Sequence, residues 1–327
     1  MPAKSLLKDL RPPASPATPA PMRVFRSLAP LPPDARGASA AIGNFDGVHL
    51  GHQHVIDRAR GAAPLAVLTF EPHPRQAFRP DDPPFRLMSP AAKASRLAKI
   101  GVDLLFELPF DAIAPLTAEA FVDDVLHAAL GLSHVVVGAD FRFGRARGGD
   151  VALLRARGAG HGIAVTVADL IDGPVGEVSS TAIRRALSEG RPRDAAAMLG
   201  HWHRIEGPVV HGEKRGRTLG WPTANMDMTG LHLPKLGVYA VLADVLDGPH
   251  AGRHRGVASL GVRPMFGDNV PNLETYLFDF EGDLYGAPLS VALVEFLRPE
   301  ARFDGIDALV AQMEADGAEA RAVLDAL

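Results

Sequence analysis

The sequence predicts two domains: an α/β domain built on a parallel β-sheet, followed by a mainly antiparallel β-barrel that ends in a C-terminal helix. The chain has 327 residues, which is about twice the usual length of one domain. From residue 38 to about residue 190, short apolar runs alternate with helical patterns, as is typical of βαβ units. After about residue 200, strand-like runs follow one another with only turn residues between them, as is typical of antiparallel barrels.

The apolar runs of the first region are short and continuous, as expected for buried parallel strands. They span residues 40–42, 65–70, 102–106 and 134–137. Helical patterns lie between them at residues 51–60, 89–100 and 117–130, and the last has Thr117 as a candidate N-cap and Gly131 as a stop signal. Because open α/β sheets bind ligands at the carboxyl ends of their strands, we expect the chemistry in the loops that follow these runs.

The second region contains four alternating or apolar runs and one amphipathic pattern. The runs predict strands at residues 237–245, 255–260, 273–280 and 289–297, and the amphipathic pattern predicts a helix at residues 306–324. The change of pattern divides the chain into domains at residues 22–199 and 200–327. Residues 1–21 are rich in proline and are predicted to form a disordered tail. Met22 opens the first apolar segment and is an alternative start of translation.

The composition excludes several classes of protein. Lys and Arg number 34 against 38 Asp and Glu, and the formal net charge of −4 argues against a protein that coats nucleic acid or an anionic membrane. The absence of cysteine excludes a disulfide framework, a thiolate nucleophile and Cys-ligated zinc. No run approaches the ~18 continuous apolar residues of a membrane helix. We therefore expect a cytoplasmic protein without nucleic-acid or membrane partners, and the sequence indicates no oligomeric state.

The densest cluster of chemically useful residues follows the first predicted strand, where residues 43–52 read Gly-Asn-Phe-Asp-Gly-Val-His-Leu-Gly-His. A loop that enters a helix N-terminus offers free backbone N–H groups and the positive end of the helix dipole, which favour phosphate. His49 and His52 lie one turn apart, so both imidazoles can donate hydrogen bonds to one phosphoryl group. Two alternatives stay open at this point: a metal site to which His54 adds a third nitrogen, and ordinary surface histidines.

Two later segments contain further candidate ligand groups. Ser180 and Thr181 supply hydroxyls at the start of a predicted helix, and Arg184 lies on the same face, where its guanidinium can clamp a polyphosphate. The alternative is a helix cap followed by a surface arginine. Asp140 follows the predicted strand at residues 134–137, where it either binds a ligand or caps the turn.

These segments together resemble a known family. His-Leu-Gly-His at residues 49–52 resembles the HxGH signature of the Rossmann-like nucleotidyltransferase superfamily. The whole run 43–52, with residues 137–150 and 178–184, is similar to the FAD synthetase half of the bifunctional riboflavin kinase/FAD synthetase family of bacteria. The resemblance implies catalytic roles for His49, His52 and Arg184 and a flavin-binding role for Asp140. It also implies an ATP-binding set made of Gly43, Asn44, Phe45, Gly47, His49, Gly51, His52, Ser180, Thr181 and Arg184.

A second cluster, at residues 207–225, combines regularly spaced glycines with basic residues. It is not a P-loop, because Glu213 separates Gly212 from Lys214 and no helix follows. It nevertheless forms a flexible cationic loop suited to nucleotide phosphates, and the alternative is a basic surface hairpin.

The residues that follow this loop suit metal binding and proton transfer. Thr223 and Asn225 alternate on an extended segment, so both side chains point the same way and offer oxygen ligands suited to Mg²⁺. Far along the chain, Glu274 lies near the start of an alternating strand. It is either a general base for a hydroxyl group or a charge that protects a sheet edge.

The second region resembles riboflavin kinases, whose glycine-rich signature ending in Pro-Thr-Ala-Asn is complete at residues 207–225. The resemblance implies that Thr223 and Asn225 bind Mg²⁺, that Glu274 is the base beside the flavin, and that Arg298 lies near the flavin. It also implies that ATP phosphates meet a loop containing Gly212, Lys214, Arg215, Gly216 and Thr223. Met265 stands where the family commonly has threonine, so the substrate loop lacks a hydroxyl group at this position.

The two resemblances cover about residues 22–327 and imply two successive reactions. The second domain transfers the γ-phosphoryl group of ATP to riboflavin, which gives FMN. The first domain then adenylylates FMN with a second ATP, which gives FAD and releases pyrophosphate. Two rivals are a nucleotidyltransferase with another acceptor and a flavin-binding sensor without turnover. The complete set of Thr223, Asn225 and Glu274 favours the two-step enzyme.

Overall fold

The structure, a computed structural model, describes residues 21–169, 172–173, 176–212, 220–265 and 268–327. By its internal contacts the chain divides into two compact units. One unit, here called the α/β unit, comprises Lys93–Asp172 and the described residues up to Pro83. The other, here called the barrel unit, comprises Pro84–Ala92 and Gly173–Leu327.

The α/β unit contains a six-stranded sheet in which every strand pair is parallel. The two outermost strands are absent from the sequence prediction, because one is very short and the other has only a weak apolar pattern. The parallel sheet itself is confirmed. Its strands are β1 (Arg23–Phe25), β2 (Ser39–Ile42), β3 (Leu65–Glu71), β4 (Leu104–Pro109), β5 (His134–Gly138) and β6 (Ala164–Ala168), in the spatial order β1-β4-β3-β2-β5-β6.

Helices connect these strands, as βαβ topology requires. Thr117 accepts a hydrogen bond from the Ala120 N–H and so caps its helix as predicted. Beyond Ala120 this helix continues with wider, π-helical turns as far as Ala129, and Gly131 follows with a positive φ of 56°. The helices are α1 (Leu50–Asp57), α2 (Pro74–Phe78), α3 (Pro90–Lys99), α4 (Phe110–Ile113), α5 (Ala118–Ala120, continued by Phe121–Ala129) and α6 (Val151–Gly160).

The strand order creates a switch point beside β2. This strand lies between β3 and β5, and the chain passes from it first to β3 and only later to β5. The segment that leaves β2 and the segment that leaves β5 therefore turn in opposite directions. They leave a crevice outside the carboxyl ends of these two strands. The loops that follow these two strands contain the motif at residues 43–52 and Asp140.

Two helices that precede residue 200 belong to the barrel unit by their contacts. A short pair of strands, β7 (Asp172–Gly173) and β8 (Gly176–Glu177), comes just before them. The helices, α7 (Ser180–Ser188) and α8 (Pro192–Leu199), share a small buried apolar cluster with Leu87. The domain boundary near residue 200 stays a prediction, since the compact units divide the chain differently.

The rest of the barrel unit is a six-stranded antiparallel sheet that curls into a nearly closed barrel, as predicted. Just past the end of one edge strand, the Val210 N–H donates at 2.8 Å to the carbonyl of Asn225 in the other edge strand, which brings the two edges together. Its strands are β9 (Arg204–Pro208), β10 (Ala224–Asp227), β11 (Gly237–Val245), β12 (Gly252–Met265), β13 (Asp268–Leu277) and β14 (Pro288–Arg298), in the order β10-β13-β12-β11-β14-β9, and α9 (Ile306–Asp325) follows.

Alternation along β13 assigns its side chains to two apolar clusters. Leu273 and Leu277 belong to the cluster inside the barrel. Tyr276 instead packs with the outer cluster, which also contains Ala320 and Leu324 of α9. Glu274 is on the same side of the strand as Tyr276, so the proposed base faces outward rather than into the barrel core.

Candidate active sites

The loop between β2 and α1, here called the histidine loop (residues 43–49), has an unusual backbone. Phe45, Gly47 and Val48 have positive φ angles of 52°, 89° and 45°. Phe45 and Val48 pay a conformational cost for this, because the left-handed region disfavours side chains with a Cβ and a branched one most of all. Both side chains are almost fully buried, and this packing holds the loop in its conformation.

The two predicted histidines lie together at the end of this loop. His49 caps α1, since its Nδ1 accepts a hydrogen bond from the His52 N–H at 3.3 Å. The two rings are stacked with centroids 3.5 Å apart, and the Phe45 ring meets His52 edge-on at 5.3 Å. The structure therefore brings the two imidazoles together, and their contact with one phosphoryl group stays a prediction.

His52 is held in its neutral form. Burial is the main cause that lowers its pKa well below the usual value, and the neighbouring His49 and Lys93 lower it further. Its Nδ1 is buried and has no hydrogen-bond partner among the described residues. A neutral imidazole in this position can donate from one ring nitrogen to a phosphoryl oxygen.

The other members of the predicted ATP set that lie between residues 43 and 52 occupy the same loop and the first turn of α1. The exposed Asn44 and the backbone of Gly43 and Gly47 belong to the loop, and Gly51 precedes His52 in α1. Among the described residues, no group of three or more His, Asp or Glu side chains could hold a metal ion.

A charged cluster next to this loop was missed by the sequence analysis. Lys93 of α3 is 5% exposed, and its Nζ donates to the Thr69 hydroxyl and to the Glu71 carboxylate, both at 3.1 Å. The Thr69 hydroxyl in turn donates to the Asn44 carbonyl at 3.1 Å. Sequence pattern contains no signal for this cluster, because a lysine in a helical segment normally faces solvent.

Asp140 lies in the turn directly after β5, at the sheet edge where it was predicted, and its side chain is exposed. The turn is closed by a hydrogen bond of 3.1 Å from the Phe141 N–H to the Gly138 carbonyl. Gly144, further along the segment, has a φ of 71° and faces the backbone of Ala118, where a Cβ would lie 2.7 Å from the nearest atom. Only glycine fits there, which explains this part of the motif.

Ser180, Thr181 and Arg184 all lie on α7, in the barrel unit. Ser179 caps this helix by accepting from the Ala182 N–H at 3.1 Å. The Arg184 guanidinium donates to the Phe85 carbonyl at 3.2 Å and lies 5.8 Å from the centre of the Phe85 ring. The polyphosphate role of these three residues stays a prediction.

The barrel unit brings Thr223, Asn225 and Glu274 together through strand pairing. Asn225 on β10 is directly opposite Glu274 on β13, although the two are far apart in sequence. The Asn225 amide donates to the Thr223 carbonyl at 3.2 Å. Asn272, which the sequence analysis missed, donates to the Asn225 side-chain oxygen at 3.2 Å and is 3.4 Å from a Glu274 carboxylate oxygen.

The glycine loop approaches this cluster closely. A Cβ added to Gly212 would lie 2.5 Å from the Asn225 amide nitrogen, so any larger residue would displace a predicted metal ligand. Lys214, Arg215 and Gly216 of the predicted phosphate loop lie outside the described residues. The oxygen donors of Thr223 and Asn225, with the Glu274 carboxylate beside them, are of the kind that Mg²⁺ prefers.

A pocket of about 370 Å³ opens beside Thr223. Its walls combine apolar and aromatic side chains, among them Leu277, Phe280 and Tyr285, with polar ones such as Thr275 and Glu281. A lining of this kind can accept a flat organic ring system that also carries polar groups.

Arg298, at the end of β14, is bound to α9. Its guanidinium makes a bidentate ion pair with Asp316 at 2.8 and 2.7 Å, and Gln312 donates to the same carboxylate at 2.9 Å. Close by, a Cβ at Gly317 would be 3.1 Å from the Trp221 ring, so this residue lets α9 approach the segment before Thr223. The predicted place of Arg298 near the flavin remains a prediction.

Comparison with known proteins finds a family match for each half of the chain. Residues 31–182 match the FAD synthetase family profile, and residues 199–324 match the riboflavin kinase profile. A bifunctional riboflavin kinase/FMN adenylyltransferase from Pseudomonas fluorescens is 42% identical over 309 residues, covering 92% of this chain and 98% of that protein. The chain belongs to the bifunctional riboflavin kinase/FMN adenylyltransferase family. Proteins of the same description from Listeria monocytogenes and Escherichia coli are 40% and 39% identical, covering 86% and 92% of this chain and 91% and 96% of their own lengths.

The solved structures contain a match of similar extent. A Streptococcus pneumoniae protein described as a macrolide-efflux protein has a TM-score of 0.78 and 30% identity, covering 92% of this chain and 99% of that one. In the present chain, no helix in the described ranges is long and apolar enough to cross a membrane. The family identification, and the order of a FAD synthetase segment before a riboflavin kinase segment, are confirmed.

Proposed function

We propose that the barrel unit phosphorylates riboflavin with ATP and that the site at the histidine loop then adenylylates the resulting FMN. The observation that carries the first half is the pairing of Asn225 with Glu274, which gathers metal-ligand oxygens and a carboxylate in one place. The observation that carries the second half is the stacked histidine pair at the switch point of the parallel sheet.

In the kinase reaction the Glu274 carboxylate accepts the proton of the ribityl 5′-hydroxyl. That oxygen bonds to the γ-phosphorus of ATP while the bond to the β-phosphate oxygen breaks, so FMN and ADP result. Thr223 and Asn225 would hold Mg²⁺, which supplies positive charge for the phosphates when bound. Asn272 orients both Asn225 and Glu274, and the pocket beside Thr223 takes the nucleoside part of ATP.

In the adenylyl transfer a phosphate oxygen of FMN attacks the α-phosphorus of ATP, and pyrophosphate leaves. The attacking phosphate is already ionised near neutral pH, so this site needs no strong base. His49 and His52 donate hydrogen bonds to the charge that develops on the phosphoryl oxygens. Backbone N–H groups of the histidine loop and of the α1 N-terminus add to this stabilisation.

The remaining predicted residues have binding roles in this proposal. Asp140 binds the flavin, while Ser180, Thr181 and Arg184 hold the polyphosphate. Arg298 lies near the flavin of the kinase site. The partners are ATP and flavins, with no nucleic acid or membrane among them, and the place of action is the cytoplasm.

The test is chromatographic separation of the products formed from riboflavin and excess Mg-ATP. We expect FMN first and FAD later in the same reaction. FMN without FAD would contradict the second half, and neither product would contradict the whole proposal. Adding EDTA should stop FMN formation, and unchanged formation would contradict the Mg²⁺ site. Labelled ATP with a panel of other phosphorylated acceptors tests the rival nucleotidyltransferase.

A further inference from the structure

Lys93 is the only buried lysine or arginine among the described residues. A buried ammonium group is costly unless it is paired and hydrogen-bonded. Here one carboxylate, that of Glu71, and one hydroxyl, that of Thr69, account for two of its three N–H donors. A cation placed at such a cost, next to a ligand-binding loop, needs a reason beyond folding.

The hydrogen bonds connect Lys93 to the histidine loop in two steps. Its Nζ donates to the Thr69 hydroxyl, and that hydroxyl donates to the Asn44 carbonyl. Thr69 lies near the carboxyl end of β3, the strand next to β2, so this link holds the loop from the neighbouring strand. Three residues of the loop, Phe45, Gly47 and Val48, have positive φ angles. A strained backbone of this kind persists only where its surroundings hold it.

The histidines bring hydrogen-bond donors and no fixed charge, because burial keeps His52 neutral. Their effect on the charge that develops on the phosphoryl oxygens therefore depends on where the loop places them. The Lys93 ammonium is already paired with the Glu71 carboxylate, so its contribution to the site is the link that holds the loop through Thr69 and Asn44.

We propose that Lys93 is a positioning residue of the adenylyl-transfer site, which holds the histidine loop in its strained conformation through Thr69. The inference rests on the proposed adenylylation of FMN at this loop. It assigns to α3 a part in the reaction that its sequence does not indicate.

The experiment compares Lys93→Met with Lys99→Met, an exposed lysine of the same helix. We expect Lys93→Met to lower kcat for FAD formation from added FMN by about 10- to 100-fold, with a smaller change in KM, because misplaced catalytic groups cost about this much. Lys99→Met should leave this kcat unchanged, and Lys93→Arg, which keeps the positive charge, should lower it less than Lys93→Met does. FMN formation from riboflavin should be normal in all three variants, which reports that the barrel unit is folded. Far-ultraviolet circular dichroism and a thermal unfolding transition of normal amplitude report that the α/β unit is folded.

Thr69→Val covers the case in which Lys93→Met fails to fold. It cuts the link to Asn44 with little change of volume, and we expect about a 10-fold lower kcat for FAD formation. Full FAD formation in Thr69→Val or in a folded Lys93→Met would overturn the inference. If the unmodified chain makes no FAD, the proposed function fails instead. Amide hydrogen exchange then still decides about Lys93: both variants should speed exchange in residues 43–50, and unchanged exchange would refute the inference.

Discussion

The two units of this chain build their sites from different parts of their sheets. In the α/β unit the chemistry lies in a loop outside the strands, between β2 and α1, and depends on positive φ angles and a helix cap. In the barrel unit it lies on the strands themselves, where the pairing of β10 with β13 sets Asn225 against Glu274. A parallel sheet offers its loops to ligands because both its faces are covered, whereas an antiparallel strand can present one face.

The electrostatics of the two sites differ in the same way. The α/β unit keeps His52 neutral by burial and places one buried cation nearby. The barrel unit places a partly exposed carboxylate in an amide network. A hydroxyl nucleophile needs a base, but an ionised phosphate nucleophile needs only charge stabilisation. The contrast therefore follows the two reactions proposed. The first two of the four experiments below test it, and the other two test a charged and a titratable group of the barrel unit.

The largest effect is expected at the base. Glu274→Gln removes the proton acceptor and should lower FMN formation by about 10²- to 10⁴-fold, the usual contribution of a general base. FAD formation from added FMN should continue at its normal rate. Both products are quantified by chromatography. Glu319→Gln, an exposed position on α9, serves as the control. Loss of both activities in a folded Glu274→Gln protein would break the division between the units.

The histidine pair is the reciprocal test. His49→Ala with His52→Ala should lower FAD formation from FMN by about 10²- to 10³-fold, since preorganised donors to a developing charge contribute this much. FMN formation should be unaffected. His54→Ala on the next turn distinguishes the metal alternative, because it should be harmless if the two histidines act as hydrogen-bond donors. An equal loss in His54→Ala would favour a three-histidine metal site.

Two measurements decide the role of Arg298: the free energy of unfolding and the KM for riboflavin. Asp316 is 5% exposed and binds the Arg298 guanidinium in bidentate fashion. Breaking such a pair leaves a buried charge, so Arg298→Met should lower the free energy of unfolding by about 3 kcal/mol. In a cycle with Asp316→Asn, measured by denaturant unfolding, the double variant should lose much less than the sum of the two. A normal stability with a raised KM for riboflavin would instead favour direct flavin contact.

The smallest effect concerns acid stability of the barrel unit. Burial lowers the pKa of His203 to about 4, and its Nε2–H donates to the Leu87 carbonyl at 3.0 Å. The unfolded chain, with an ordinary histidine pKa near 6.5, therefore binds the proton first as pH falls. The stability from this neutral histidine is complete above pH 6.5 and is lost as pH falls towards 4, by about 2 kcal/mol at pH 4.5. His203→Gln should flatten the fall in melting temperature over this range, and an unchanged slope would contradict the assignment.

Contiguous motifs made the α/β site predictable. Residues 43–52 contain the loop, the cap and both histidines within ten positions, and local backbone geometry determines how they meet. The barrel site was predictable only with the family resemblance, because Asn225 and Glu274 meet through strand register. Register depends on every pair along two strands, and a single sequence does not display it.

Some features escaped prediction because their partners are distant in sequence. Lys93 lies in an ordinary helical pattern, and only the packing of α3 buries it against Thr69 and Glu71. The local sequence around Asn272 is typical of a turn, and only the pairing of β13 with β10 brings this residue to the site. The π-helical turns after Ala120 likewise do not show in a pattern that fits an ordinary helix.

By itself the sequence determined the fold class, the parallel and antiparallel regions and the histidine loop, since periodicity, caps and turn glycines act over a few neighbouring residues. Tertiary structure alone decided that α7 and α8 pack in the barrel unit, that Arg298 is bound by Asp316, and that a lysine lies buried beside the histidine loop. Each of these depends on burial, which changes the energy of a charge or an apolar face only when distant parts of the chain come together.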